Sequence, residues 1–260
     1  MKTKIFDYIY SLGIEKCGVA PYGEKFAVVC LFPYFSGYRD GNLSVYTYSR
    51  DYHSVVNEKL GKISDYIKSL SPEAQCECFC DIGPEVDRNL AYLAGLGFYG
   101  ENKMLINDDF GSYFFIGYVL TTLPLPLDAP LEKECLKCGK CKKACPGGAL
   151  ADGFNIEKCA SHISQKKGEL TQEEIEILKK SSLIFGCDIC QRVCPHNNIT
   201  PRPMAEFTED IISSLSKSDL EGLSNKEFMN KYKSRAFSWR GKKVLERNLK
   251  ILKQKKGDTD

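Results

Sequence analysis

Eight of the thirteen cysteines lie between residues 135 and 194, at spacings that suit a metal cluster better than cross-links. The first group reads Cys135-x2-Cys138-x2-Cys141-x3-Cys145-Pro146, and the second Cys187-x2-Cys190-x3-Cys194-Pro195. The first has the bacterial ferredoxin spacing, in which three thiolates hold one 4Fe–4S cluster and the fourth ligates a second. Soft sulfur ligands suit iron–sulfur chemistry, and the tight spacing wraps the backbone around one cubane. Two cubanes need eight thiolates; the two groups supply seven, and Cys159, alone between them, makes the eighth. Ferredoxin logic then gives cluster one Cys135, Cys138, Cys141 and the remote Cys194. Cluster two takes Cys145, Cys159, Cys187 and Cys190. Paired C-x2-C motifs also build zinc ribbons, so zinc is the alternative, and the repeated x3-Cys-Pro ending favours iron.

The odd cysteine total argues against a closed disulfide framework. The start of the chain is amphipathic, with Asp7 inside it, and lacks a signal-peptide core, so the expected compartment is the reducing cytoplasm. Strand periodicity puts Cys76, Cys78 and Cys80 on one face, where free cysteine packs as a small hydrophobe.

These ligands need elements to position them. With 260 residues, 43% hydrophobic and 27% charged, and a mean hydropathy of −0.30, the chain belongs to ordinary globular proteins. No run approaches the length of a membrane span. Apolar periodicity predicts helices over 3–12 and 51–70, and a strand over 26–32. Residues 34–50 read as a loop dense in aromatics. A strand over 76–81 leads to a helix over 84–95, with Pro84 at its first position. Strands are expected over 103–106 and 112–120. Thr171 and Glu174 form a capping box, and the chain reads as helical from Pro201 onward. The fold class is therefore α+β: a mixed α/β domain over 1–130, a two-cluster ferredoxin-like module over 131–200, and a helical tail over 201–260.

Two further patterns bear on function. Gly95-Leu-Gly97-Phe-Tyr-Gly100 matches the dinucleotide fingerprint in letters, but it follows a helix where that fingerprint must follow a strand. Nicotinamide binding is therefore excluded at this site. Net charge is +2, yet residues 226–256 carry 12 basic and 2 acidic side chains, a net of +10, so the rest sums to −8. A basic segment on an otherwise acidic protein is an electrostatic footprint for RNA. Lys242, Lys243, Arg247 and Lys250 are its candidate contacts. On a helix over 242–254, Val244, Leu245, Asn248, Ile251 and Leu252 would face inward, with Lys243, Arg247, Lys250 and Lys253 outward.

The ordered set of motifs resembles the epoxyqueuosine reductases, cobalamin-dependent enzymes that complete queuosine in tRNA anticodons. The resemblance is carried by Tyr48-Ser-Arg50-Asp51-Tyr52-His53, Asp81-Ile-Gly83-Pro84-Glu85-x2-Arg88 and Ala94-Gly-Leu-Gly-Phe-Tyr-Gly-Glu-Asn102. Gly111-Ser112-Tyr-Phe-Phe, the eight cluster cysteines and Cys187-Asp-Ile-Cys-Gln191-x2-Cys-Pro-x-Asn197 complete it. It implies two 4Fe–4S clusters feeding electrons to a base-off cobalamin between the α/β domain and the cluster module. Low-valent cobalt would then remove the epoxide oxygen. An external ferredoxin or flavodoxin would donate electrons, and tRNA would be the partner.

Asp81 matches the family's catalytic acid. It stands at a strand end, where loops usually carry function, and an apolar macrocycle above it would raise its pKa by desolvation. Arg50, His53, Asn102, Ser112, Asp188 and Gln191 are implied as cofactor contacts by their places in the matching motifs. Three departures stand out. Typical members continue into a helical-repeat domain past the point matching Arg247-Asn248, so this chain reads as a short form. The N-terminal domain is also shorter, and Phe98 and Glu101 replace the usual Trp and Lys. Two other readings compete: a related corrinoid reductase for a small molecule, and a two-cluster electron carrier without catalysis of its own.

Overall fold

The computed structural model describes residues 1–254, which divide into two compact units. Lys255 and Lys256, counted in the basic segment, lie outside the described residues.

The first unit comprises residues 1–35, 52–137 and 198–206. It contains α1 (Lys2–Ser11), β1 (Lys16–Tyr22), β2 (Lys25–Pro33), α2 (Tyr52–Leu70), β3 (Cys76–Cys80), α3 (Asp87–Leu93), β4 (Phe98–Tyr99), β5 (Leu105–Ile106) and β6 (Phe114–Thr121). Four strands form an antiparallel sheet in the order β1-β2-β6-β3, and β4 and β5 make a separate short hairpin. The central β2 is apolar at nearly every position because helices cover both sheet faces. Ala27, Val29 and Leu31 join Leu90, Ala91 and Ala94 of the α3 segment in one core. On the other face α2 packs on β3 and β6 through the stripe Val56, Leu60, Ile63 and Ile67, all fully buried. Burying such side chains stabilises by about 1.5–3 kcal/mol each, as an upper estimate. Gly117 of β6 lets that helix close in, since a methyl group there would meet Val56 and Leu60.

Two expectations change here. Strand β1 was not expected: its sequence, KCGVAPY, carries Gly18 and Pro21. It is an edge strand, where proline is tolerated, and Gly18 lets it approach the Ala94 carbonyl. The helix expected from Pro84 begins instead at Asp87, after Val86 as N-cap. Residues 81–85 form a bent, exposed loop. As expected, the glycine motif at 95–100 follows a helix and enters β4.

The second unit comprises residues 36–51, 138–197 and the chain from Phe207 onward. It contains α4 (Lys140–Ala144), α5 (Ala160–Gln165), α6 (Gln172–Ser181), α7 (Ile189–Arg192), α8 (Asn225–Tyr232) and α9 (Lys242–Gln254). The capping box at Thr171 and Glu174 forms as expected, and Ser224 with Glu227 makes another on α8. Expected helix over 201–224 is absent: apart from a short turn at Ala205–Phe207, that stretch is irregular. The outer segment 36–51 is tied in by a parallel bridge from Leu43 to Phe185 and by Ser44 on the Phe185 carbonyl. Among the described residues no helix is long and apolar enough to cross a membrane.

Candidate functional site

The first unit holds a cavity of about 540 Å³. Its apolar wall comes from Met104, Leu105, Phe114, Phe115 and Ile116, and its polar rim from Asp81, Asp87, Arg88 and Ser112. The sheet explains the wall. β6 begins at Phe114 beside the end of β2, pairing with Pro33, so its first residues line the cavity while its later ones enter the core.

Asp81 is placed by a backbone conformation that most residues avoid. Its φ is +62°, the left-handed region that Asp tolerates better than bulkier residues. The turn is held from both sides. Asp81 N–H donates to Oδ2 of Asp87 at 2.9 Å, and Gly83 lies so close to the buried Tyr118 hydroxyl that any side chain would collide with it. Two groups of α2 reach the Asp81 carboxylate: the Tyr52 hydroxyl donates to Oδ2, and His53 Nε2 lies 3.4 Å from the same oxygen. Tyr52 stacks on Phe115 of the wall at 4.0 Å between centroids.

Electrostatics then separate the two carboxyls. Burial would raise Asp81, but hydrogen bonds from His53 and Tyr52, with the charges of His53 and Arg88, outweigh it and hold Asp81 below its ordinary value. Asp87 goes the other way: burial dominates, the Asp81 N–H only partly offsets it, and the carboxyl is raised. Asp87 Oδ1 is buried and has no partner among the described residues. The raised value expected of Asp81 is thus not seen at the open pocket; with the side chain 52% exposed, the desolvation that a bound apolar group would bring is still to come.

Of the residues expected from the sequence, Asp81 and Ser112 line this cavity, and His53 reaches it through the Asp81 carboxylate. Asn102 is 5% exposed; its Oδ1 accepts from Met104 N–H at 3.2 Å, and its Nδ2 is buried without a partner among the described residues. Arg50, Asp188 and Gln191 belong to the second unit. Arg50 is exposed. Asp188 is buried with both oxygens engaged, by the Ser44 hydroxyl at 2.5 Å and the Val45 N–H at 2.9 Å. Gln191 is buried, and its carbonyl accepts from Asn197 at 2.9 Å. Sequence reasoning missed Tyr52 and Asp87. Both stood inside quoted motifs, and Asp87, six residues beyond Asp81, is found only once the left-handed turn folds the two together.

None of the thirteen cysteines is paired in a disulfide. Cys145, Cys159, Cys187 and Cys190 gather in the second unit, near enough for the other three to bear on Cys190. Burial first, then Asp188, Cys159 and Cys145, push Cys187 up to about 12. Cys190 is raised by burial and then by Cys187, Cys159 and Cys145. The Ala149 N–H donates to the Cys145 sulfur at 3.2 Å, the kind of bond that steadies a cluster thiolate. Of the other set, Cys141 lies on α4, which packs against α7, and Cys194 follows α7. Cys138 is exposed, and Cys135 falls in the first unit. No group of three or more His, Cys, Asp or Glu side chains among the described residues is set to hold a single metal ion.

The four candidate RNA contacts divide. Lys242 donates to the Leu223 carbonyl at 2.5 Å and pairs with Glu246 at 3.0 Å. Arg247, expected to point outward, turns back to the carbonyls of Lys166 and Gly168 at 2.8 and 2.5 Å. Lys243 and Lys250 are exposed. Of the inward stripe expected on α9, Val244, Leu245, Asn248 and Ile251 are buried and Leu252 is half-buried; Leu249, not expected there, is buried too.

Both the sequence and the fold have known relatives. The family model "Epoxyqueuosine reductase QueG, DUF1730" matches residues 25–82, and "4Fe-4S double cluster binding domain" matches 134–197, spanning all eight clustered cysteines. An epoxyqueuosine reductase of Bacillus anthracis is 35% identical over 221 residues, covering 82% of this chain and 56% of the relative. That of Lactococcus garvieae is 37% identical, covering 82% and 61%. The chain thus spans rather more than half the length of these curated relatives. Among solved structures, an epoxyqueuosine reductase superposes with a TM-score of 0.86 at 27% identity, over 96% of this chain and 80% of the other. A second, bound to an epoxyqueuosine-modified tRNA-Tyr stem loop, gives 0.85 at the same identity and coverage. A catabolic reductive dehalogenase shares the fold at a TM-score of 0.51 and 17% identity.

Proposed function

The chain belongs to the epoxyqueuosine reductase family, and on that premise we propose that it reduces epoxyqueuosine to queuosine in tRNA. Removing an epoxide oxygen as water to leave an alkene consumes two electrons and two protons. The observation that carries the reading is Asp81: a carboxylate fixed in a left-handed turn at the rim of an apolar cavity, in a chain that also bears the double-cluster motif. An electron carrier needs no such group.

The electrons are assigned to two 4Fe–4S clusters, one on Cys135, Cys138, Cys141 and Cys194, the other on Cys145, Cys159, Cys187 and Cys190. The donor set suits them, being all thiol. The apolar wall of Phe114, Phe115, Ile116, Met104 and Leu105, with the orphaned Asn102 amide nearby, suits a large flat macrocycle such as cobalamin. The chemistry a bound corrinoid supplies is the low-potential reduction at the epoxide carbon. Ser112, His53 and Asn102 are proposed to hold it. Asp188 acts indirectly, by holding the Ser44 hydroxyl and the Val45 N–H.

Asp81 is the proton donor to the leaving oxygen. In the open cavity it is ionised, with Tyr52 and His53 holding the charge. Expelling water from its exposed half raises its proton affinity, since burial disfavours the charged form, and His53 stands within reach to hand over a proton. Asp87 positions Asp81 through the backbone bond. An external low-potential carrier such as ferredoxin or flavodoxin supplies the electrons.

The test is anaerobic purification with metal analysis, followed by assay of epoxyqueuosine-containing anticodon stem-loop RNA with added cobalamin. About eight irons per chain, cobalamin-dependent queuosine formation and an inactive Asp81→Asn variant are expected. Stoichiometric zinc without iron would sink the reading, and a fully active Asp81→Asn enzyme would remove that residue from the mechanism.

A further inference from the structure

Trp239 is the sole tryptophan of the chain, and it is 56% exposed. It is nonetheless held firmly. The turn before it, Ala236–Ser238, is buried, with Phe237 fully enclosed. The indole Nε1–H donates to Oε1 of Gln165 at 3.2 Å, which fixes the ring's rotation. The Arg240 guanidinium carbon lies over the ring, 3.6 Å from its centroid. More than half of the side chain nonetheless remains open.

Arg240 is also short of partners. Its Nε is buried without a hydrogen bond, and no carboxylate pairs with the guanidinium among the described residues. The pair lies within the basic segment 226–256, followed closely by the exposed Lys243, the second residue of α9. A rigid π-face beside an unneutralised guanidinium is the chemistry that takes a base and its phosphate from a single strand. Inserting into a lipid surface would call for several exposed apolar side chains together. Among the described residues of 226–254, Trp239 is the sole large one.

We infer that Trp239, braced by Arg240, is a stacking platform for one unpaired nucleotide of an RNA loop, the indole taking the base and the guanidinium an adjoining phosphate. The inference rests on the RNA-acting function proposed above and adds the contact that function leaves unassigned.

The single tryptophan makes the test direct. The anaerobic iron-loaded protein is titrated with a labelled anticodon stem-loop RNA, following RNA anisotropy and tryptophan emission together, with anionic phosphatidylserine vesicles as a separate probe. Emission should change saturably with the same midpoint as anisotropy. Trp239→Ala should weaken binding about 10- to 100-fold with an unchanged salt slope, and Trp239→Phe, which keeps an aromatic plane, should lose less. Arg240→Gln should lower the salt slope by about one phosphate contact. RNA binding with unchanged emission and undiminished Trp239→Ala affinity would overturn the platform while leaving the RNA function standing. No RNA binding even at low salt would overturn both. Emission responding to vesicles and not to RNA would reassign the surface to lipid.

Discussion

Asp87→Ala removes the acceptor that holds the Asp81 N–H at 2.9 Å. A hydrogen bond to a charged acceptor contributes about 1.5–3 kcal/mol, and a non-glycine residue at positive φ costs about 1–3 kcal/mol that its surroundings must offset. Withdrawing about 2 kcal/mol shifts the turn roughly 30-fold toward other conformers. The variant should therefore lose about 10- to 30-fold in kcat, while the KM for RNA, the iron content and the far-UV circular dichroism stay as in the parent. Single-turnover reduction of an epoxyqueuosine stem-loop measures it. Asp87→Asn separates position from charge. Its amide oxygen still accepts the N–H, so most of kcat should return. Loss of the neighbouring negative charge also lowers Asp81's proton affinity, so the pH limb on which kcat falls moves to lower pH. A carboxyl-13C titration of Asp81 should move the same way. Wild-type kcat in Asp87→Ala would refute the reasoning, as would an Asp87→Asn enzyme equally damaged with its titration unmoved.

Three further outcomes follow from packing and ligation. Gly83→Ala should lower thermal stability by about 1–3 kcal/mol through overpacking against the Tyr118 hydroxyl, and adding Tyr118→Phe should recover part of it; strict additivity would be the wrong result. Asn248 is fully buried and bonds the carbonyls of Ser164 and Ile184 at 2.7 and 2.8 Å. Asn248→Leu orphans both, so calorimetry should show about 2–5 kcal/mol lost, and an unchanged melting temperature would contradict that bookkeeping. Cys159→Ala should drop iron from about eight to about four per chain while one cluster signal persists in electron paramagnetic resonance. Full retention would break the proposed partition.

Much of the fold is legible wherever a local rule governs it. The α2 stripe, the capping box at Thr171 and the inward face of α9 depend on residues three or four apart, and the helical period reveals them. Strand β1 escapes because its identity comes from pairing with β2, not from its own composition, and edge strands tolerate Gly18 and Pro21. Pro84 misplaces the start of α3: proline favours a first helical turn, but the bent loop from Asp81 has its own use for a fixed φ. Asp81 itself is legible from its motif. Its depressed pKa is not, because Tyr52 and His53 reach it from a helix whose register relative to the loop only folding sets. Arg247 misleads for a related reason: its helix face is right, but the long side chain bends back to carbonyls of another segment.

The four gathered thiols of Cys145, Cys159, Cys187 and Cys190 have a consequence for assembly. Between the outer pair lie about forty residues, including α5 and α6. A cluster bound at both ends would act as a covalent staple across that loop, and a cross-link of this span removes about 4 kcal/mol of chain entropy from the unfolded state. Iron would then be a structural member of the second unit as well as an electron relay. Loss of one cubane would slacken α5 and α6 and, through Asn248, the seat of α9.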